Sequence, residues 1–449
     1  MLFSSLEFLY VFLPLGLGLY FLFPMRWRNG VLLGLSLLFY AYGEPRFALL
    51  MAMTIAANYL FGRLLCRVKR RRAVLSLAVA VNLSLLFFFK YAGAVFPALG
   101  EIPLPVGISF YTFQTLSYVV DVHRGRVEAS RDPVGFGAYV TMFPQLIAGP
   151  IVRYDEVEVA LRERRASAER IASGISLFCV GLAKKVLLAN PAGEMAEELL
   201  LGASSFLGAW LWLLFFAFQI YFDFSGYSDM AVGLGRILGF EFPQNFCYPY
   251  LSRSITEFWR RWHITLSSFF REYVYVPLGG NRRGRWRTYL NLLIVWALTG
   301  LWHGASLNFL LWGLYFFLIL VMEKAFLLRV LDRIPALLRH GYALFFILLG
   351  WLIFASDGTR DTLSLLPFLF GGAPLLDGWS LYALRRSMVL LGLMTLGATP
   401  FGRWLWERFR GRFPGVCVAL RIPLCLGALI LSTAYLVDSG YNPFLYFRF

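Results

Sequence analysis

Apolar residues run along this chain in long blocks separated by short basic loops, with no sustained period-two alternation. Leu6–Phe23, Val31–Tyr42, Phe47–Leu65 and Val74–Val95 are the first four blocks. Ile171–Leu188, Phe206–Tyr221, Leu290–Trp302, Leu307–Met322, Tyr342–Phe354, Met388–Ala398 and Val416–Val437 follow. Stretches of this kind are satisfied as helices in lipid, where every backbone polar group must bond within its own segment. The pattern predicts an all-α, polytopic membrane protein with roughly 10–12 spans at about 20 residues each. The first block lacks a basic flank and a small-residue cleavage site, so it reads as the first span.

Two segments break the pattern. Leu104–Val122 is interrupted by Pro105 and Gly107, and Phe136–Ile151 by Pro144, Gln145, Gly149 and Pro150. Irregular backbone at membrane depth is tolerated only where it is buried in protein or lines a cavity. Residues 153–170 are highly charged and predict a surface helix. From Asp223 to Gly280 the chain is aromatic, charged and rich in Gly and Pro, which predicts partly inserted or interfacial helices. With no internal repeat and no soluble stretch, residues 1–449 read as a single transmembrane domain.

Charge sets the topology. Charged residues make up 15% of the chain against about 25% in soluble domains, and mean hydropathy is +0.65. The net charge of +16 would point a soluble protein towards nucleic acid. Here the basic residues collect in loops, as the positive-inside rule requires, and no nucleic-acid partner is expected. Arg63, Arg67, Lys69, Arg70, Arg71 and Arg72 mark a cytoplasmic loop. Counting back three spans places the N-terminus outside and Arg26 and Arg28 inside, in agreement. Glu101 falls in an outer loop. Arg282, Arg283, Arg285 and Arg287 form a second basic cluster, and Arg403, Arg408, Arg410 and Arg412 point the last span outward.

Few groups can carry chemistry. The cysteines, Cys66, Cys179, Cys247, Cys417 and Cys425, have no CxxC spacing and read as small hydrophobes, with no metal site and no disulfide. No P-loop, GxSxG elbow or HExxH is present. Of four histidines, His303 lies in an otherwise uncharged apolar block, where an ionisable group is a functional candidate by default. Flanking Gly300 and Gly304 would let a substrate approach. His263, 40 residues earlier, sits in a cluster with Trp259, Arg260, Arg261 and Trp262 that by composition reads as an interfacial helix. His123 reads as a membrane-edge residue and His340 as a loop residue. Asp223 and Asp229 lie in an apolar aromatic run. Asp229 has Arg236 two turns on as an in-segment partner, and a place in the wall of a reaction chamber is the alternative. The chemistry available is a His acting as general base, for which a pKa near 6–7 suits a hydroxyl attacking a thioester.

The runs FQIYFDFSGYSDMAVGLGRILGF, TEFWRRWHITLSSFFREYVYVPLGGNRRG and LTGLWHGASLNFLLWGLYF carry a resemblance. LPVGISFYTFQTLSYVVDVHRG, MFPQLIAGPIVRY and the terminal YNPFLYFRF fit it as well. The chain resembles, over nearly its whole length, the membrane-bound O-acyltransferase family. Within it the chain is similar to the bacterial alginate O-acetyltransferase branch and the related D-alanyl transfer protein of teichoic acids. The resemblance implies a ring of helices around a central funnel, with His303 catalytic and His263 at the second active-site position. Candidate substrate contacts are then Trp259, Arg260 and Trp262 around His263, Asp229 upstream, and Trp302 and Asn308 around His303. Many relatives carry an Arg soon after the Phe of a late WxxF segment, whereas this chain reads WLIFASDGTRD, with Ala355 and Ser356 there.

The expected activity is transfer of an acyl group, acetyl foremost, from a cytoplasmic thioester to a cell-surface polysaccharide. The expected donor is acetyl-CoA or an acyl carrier protein thioester, with no bound cofactor. The resemblance also implies an extracytoplasmic acyltransferase partner. D-alanyl transfer to teichoic acid, a transporter, and a non-enzymatic scaffold for a secreted acyltransferase are the alternatives. A transporter would more often show inverted repeats, which the sequence lacks.

Overall fold

The computed structural model describes residues 1–100, 102–164, 166–202, 204–356 and 362–445. Glu101, Arg165, residues 357–361 of the WLIFASDGTRD segment and residues 446–449 of the terminal motif lie outside the described residues. The described chain is helical, and it groups into two compact units, Met1–Gly181 with Tyr227–Gln244, and Leu182–Gly226 with Asn245–Phe449.

In the first unit, α1 (Leu13–Leu22), α2 (Met25–Gly43), α3 (Pro45–Arg67) and α4 (Arg71–Val95) follow the apolar blocks closely. Only 28% of the apolar window of α3 and 17% of that of α4 is buried, so their outer faces are dressed for lipid. Their polar residues turn inward. Asn58 and Asn82 exchange amide hydrogen bonds of 3.0 and 2.8 Å, and Thr115 donates to Asn82 Oδ1 at 3.2 Å. That is how polar groups survive within a membrane bundle.

α5 (Ile108–Arg124) is buried at every position from Ile108 to Val119. Its Ser and Thr residues therefore face protein, which explains why the sequence reads as an interrupted span. Gly107 precedes it at φ +75°, and a Cβ there would lie 2.5 Å from the Leu146 carbonyl oxygen, so only glycine fits. The Pro- and Gly-broken stretch gives two short helices, α6 (Pro133–Thr141) and α7 (Phe143–Leu146).

The charged segment splits. α8 (Tyr154–Arg162) is shorter than the surface helix expected over residues 153–170 and is amphipathic, and α9 (Ala168–Ala183) begins a new span. Arg164, expected on the surface, is buried instead: it donates to Tyr20 Oη at 2.6 Å and Asn29 Oδ1 at 2.7 Å and lies 4.7 Å over the Phe240 ring. A cation with this many acceptors and an aromatic face need not reach water.

A π-helical turn, Lys184–Ala189, joins α9 to α10 (Asn190–Gly202). Beyond it α11 runs unbroken from Phe206 to Leu238. The expected end at Tyr221 is overturned: the helix continues through Asp223 and Asp229. Asp223 is neutralised by Lys185 at 2.8 Å, both side chains being 3% exposed, so its charge does not end the span. Lys185 also donates to Asn190 Oδ1 at 2.7 Å and to the Pro443 carbonyl, and the Leu445 amide donates to Asp223 at 2.9 Å. The pair thus also fastens the C-terminal segment.

The rest of the second unit is α12 (Ile255–Arg261), α13 (Ile264–Phe270), α14 (Arg285–His303), α15 (Leu307–Met322), α16 (Leu328–Leu331), α17 (Ala336–Ala355), α18 (Leu366–Leu369), α19 (Gly378–Gly397), α20 (Phe401–Arg412) and α21 (Pro414–Asp438). From Phe240 to Gly280, within the stretch expected to hold partly inserted or interfacial helices, α12 and α13 have seven residues each. Among the described residues six helices are long and apolar enough to cross a membrane, and seven if α19 and α20, bent by 66°, form one broken span. This is fewer than the 10–12 expected, because apolar helices such as α15, with 16 residues, fall short of that length.

Removing one partner of the Lys185–Asp223 pair leaves an uncompensated buried charge, which costs about 3–5 kcal/mol. Asp223→Ala should therefore lower the thermal unfolding midpoint in detergent sharply. Lys185→Met/Asp223→Leu should unfold at a higher temperature than Asp223→Ala; the reverse order would show that the pair does not stabilise the unit.

Candidate active site

The site grows from an elbow between two short helices of the second unit. α12 ends at Arg261, Trp262 is extended, and His263 takes the left-handed conformation at φ +45° before α13 begins. A non-glycine residue there costs of order 1–3 kcal/mol and must be held. Residues 245–247 hold it from both sides: Cys247 N–H donates to the Arg261 carbonyl at 2.9 Å, and Ile264 N–H to the Asn245 carbonyl at 3.0 Å.

The Asn245 side chain fixes the imidazole as well. Its Oδ1 accepts from the Thr265 amide at 3.2 Å and from Thr265 Oγ1 at 3.0 Å, and lies 3.2 Å from His263 Nδ1. A backbone N–H only donates, so the atom facing it is the carbonyl oxygen. Nδ1 must then carry the proton, and the lone pair sits on Nε2. His263 is 1% exposed and outside the candidate spans, and burial pushes its pKa down to about 3. His263 is therefore a neutral hydrogen-bond partner with a directed lone pair.

Glu323 anchors the start of α12. Its buried carboxylate accepts from the amides of Ile255 and Thr256 at 2.7 and 2.8 Å, from Thr256 Oγ1 at 2.6 Å and from Tyr342 Oη at 3.1 Å. Negative charge at a helix N-terminus is favourable.

His303 ends α14 and is 3% exposed. Its ring is boxed edge-on by Trp302, Trp312 and Phe354, with centroids 4.9, 5.0 and 5.2 Å away. The His263 ring lies 6.0 Å from Trp302 and 4.7 Å from Phe224. Tertiary packing therefore brings both histidines onto one indole. The glycines beside His303 are packed against α15. A Cβ at Gly300 would stand 2.4 Å from the Phe309 carbonyl oxygen, and one at Gly304 would stand 2.5 Å from the Phe309 ring, so both make room for α15.

The other expected contacts separate. Trp259 packs on Trp296, Trp312 and Phe316 at 4.7, 5.5 and 5.0 Å, in the wall behind His303. Trp262 is a core residue, 4.8 Å from Trp351 and 5.1 Å from Phe246. Asn308 pins α15 to α17 by donating to the Ile353 and Phe354 carbonyls at 3.4 and 3.2 Å. Arg260 is exposed. Asp229 is partly buried on the part of α11 that belongs to the first unit. His340 lies 3.2 Å from the Ser252 carbonyl through Nδ1. Among the described residues no three His, Cys, Asp or Glu side chains converge as a metal site needs.

Asn245, Thr265 and Glu323 were missed from the sequence. Nothing in PQNFCYPY marks its Asn. Glu323 did carry a signal, a lone acid closing a long apolar helix.

These helices, with two buried histidines packed on Trp302, define a polytopic membrane protein. The model of the MBOAT, membrane-bound O-acyltransferase family, matches residues 106–356. Among curated relatives, a "Probable alginate O-acetylase" of Azotobacter vinelandii is 42% identical over 80% of this chain and 75% of its own length. One from Pseudomonas putida is 36% identical over the full length of both. A peptidoglycan O-acetyltransferase of Helicobacter pylori is 34% identical over 86% of this chain and 82% of its own. The chain belongs to the membrane-bound O-acyltransferase family and is an O-acyltransferase.

Asn245→Ala frees the His263 ring to change tautomer, whereas Asn245→Asp keeps an acceptor on Nδ1. Loss of a buried hydrogen bond of about 1–3 kcal/mol predicts acyl-transfer turnover roughly 5- to 150-fold lower in Asn245→Ala, with smaller loss in Asn245→Asp. Equal rates in both variants and the wild type would show that the amide does not position the ring.

Proposed function

We propose that this enzyme moves an acetyl group from a cytoplasmic thioester to hydroxyl groups of a cell-surface polysaccharide. One observation carries the reading: two histidines, remote in sequence, meet on Trp302 in an aromatic box, one with its lone pair fixed on Nε2. His303 takes the proton from the attacking hydroxyl, directly or through His263. The oxygen adds to the thioester carbonyl, the carbon–sulfur bond breaks, and the proton passes to the departing thiolate. General-base catalysis contributes about 10²–10⁴-fold, and exclusion of water protects the thioester from hydrolysis.

Acetyl is preferred to D-alanyl because relatives at 34–42% identity carry O-acetyl names. Their names also supply the acceptor class, a polysaccharide or glycan polymer of the cell surface. The donor is acetyl-CoA or an acylated carrier protein, and an extracytoplasmic acyltransferase completes delivery. The enzyme sits in the cytoplasmic membrane with its N-terminus outside, the arrangement that puts the basic 63–72 and 282–287 loops on the cytoplasmic face.

The test is thiol release from acetyl-CoA by purified protein in nanodiscs, with a candidate polymer present. His303→Ala and His263→Ala, folded as judged by thermal unfolding, should each lose about 100-fold or more of turnover. Undiminished turnover in both would make the histidines structural and overturn the mechanism.

A further inference from the structure

A cavity of about 620 Å³ lies elsewhere in the second unit. It is lined by Arg253 just before α12, by Arg261 at the end of α12, by Leu331, Asp332 and Arg339, and by Pro400 at the 66° bend between α19 and α20. The volume is within the range of about 300–1,000 Å³ that takes small organic ligands and cofactors.

The lining is unusually rich in guanidinium groups, and not all are matched. Glu257 is taken by Arg261 at 2.7 Å, and Asp332 by Arg339 at 3.4 Å. The Asp332 side chain is 75% exposed, so that second pair is weak. Three guanidinium groups against two carboxylates leave one positive charge over. Arg253 is exposed with its guanidinium on the cavity, and among the described residues Arg339 Nε is buried without an acceptor. A buried guanidinium N–H without an acceptor calls for an acceptor from outside the chain.

We propose that this cavity binds a phosphate-bearing group, held by Arg253 and Arg339. The guanidinium fork matches phosphate oxygens, and the space exceeds what a bare ion fills, so the phosphate is part of a larger molecule. Two sources share the chemistry: a thioester carrier, coenzyme A and phosphopantetheine being phosphate esters, and the headgroup of an anionic phospholipid. Assignment to the carrier rests on the acetyl-thioester reading above; the phosphate site does not. α12 links cavity and site: it carries Arg261 into the cavity wall and leads within two residues to His263. Arg261 also holds the Cys247 carbonyl beside that elbow, at 3.3 Å, so it is left intact in the test.

The experiment measures coenzyme A binding to the purified full-length protein by calorimetry, for wild type, Arg253→Ala, Arg253→Lys, Arg339→Ala and, as a control for surface charge, Arg412→Ala. Thermal unfolding checks each fold. Loss of a charged hydrogen bond predicts a Kd raised roughly tenfold or more in the two alanine variants, partial recovery in Arg253→Lys and no change in the control. The KM for acetyl-CoA should rise in step at near-constant kcat. S-acetyl-N-acetylcysteamine, a thioester without phosphate, should be turned over alike by all five proteins. If the source is lipid, the alanine variants bind coenzyme A normally but retain less phosphatidylglycerol, read by native mass spectrometry from mixed nanodiscs. Equal coenzyme A binding and equal lipid retention throughout would overturn the proposal. Arginine-dependent binding without turnover of either thioester would leave the phosphate site standing and sink the acetyl-thioester reading.

Discussion

A polar group buried in this protein must find its partner inside the protein, because neither lipid nor an apolar interior offers one. The other arrangements follow from that requirement. Asn58 and Asn82 meet each other, Arg164 is taken in by Tyr20 and Asn29, and Lys185 and Asp223 close on one another and collect the amide of Leu445. Each solution joins different elements of the chain, so the polar groups act as fasteners and the apolar helix faces as the surface they leave free for lipid.

The active site applies the same requirement to chemistry. A buried imidazole is held neutral by its surroundings, and its remaining freedom is which nitrogen carries the proton. Asn245 removes that freedom at His263 with the same oxygen that caps Thr265. Glu323 fixes the helix before it, and the aromatic rings of Trp302, Trp312 and Phe354 fix His303. Rings supply shape and exclude water without competing for the hydrogen bonds that the reacting groups need. The tight approach of α14 and α15 serves the same end. The glycines at 300 and 313 let backbone meet backbone, which places His303 at the end of a rigid hairpin.

Hydropathy and loop charge determined by themselves that this is a helical membrane protein, roughly where α1 to α4 lie, and that His303 stands alone in an apolar block. These are local properties: a span needs length and apolarity, and both are written residue by residue. The whole chain's motifs also placed it in its family. The sequence failed where burial in protein replaces exposure to lipid. α5 and α11 look interrupted because their polar residues face other helices, and a hydropathy reading has no way to see a neighbour.

Only the tertiary structure decided which residues act together. That His263 and His303 share Trp302, that Asp223 pairs with Lys185, and that Trp262 and Asn308 serve the packing are facts about segments tens of residues apart. Spacing along the chain constrains contacts within a helix turn and says nothing about which faces meet. The choice among faces is made by fitting side chains at close range, by glycine where backbones touch and by hydrogen-bond geometry where polar groups are buried, and those terms exist only once the helices are assembled.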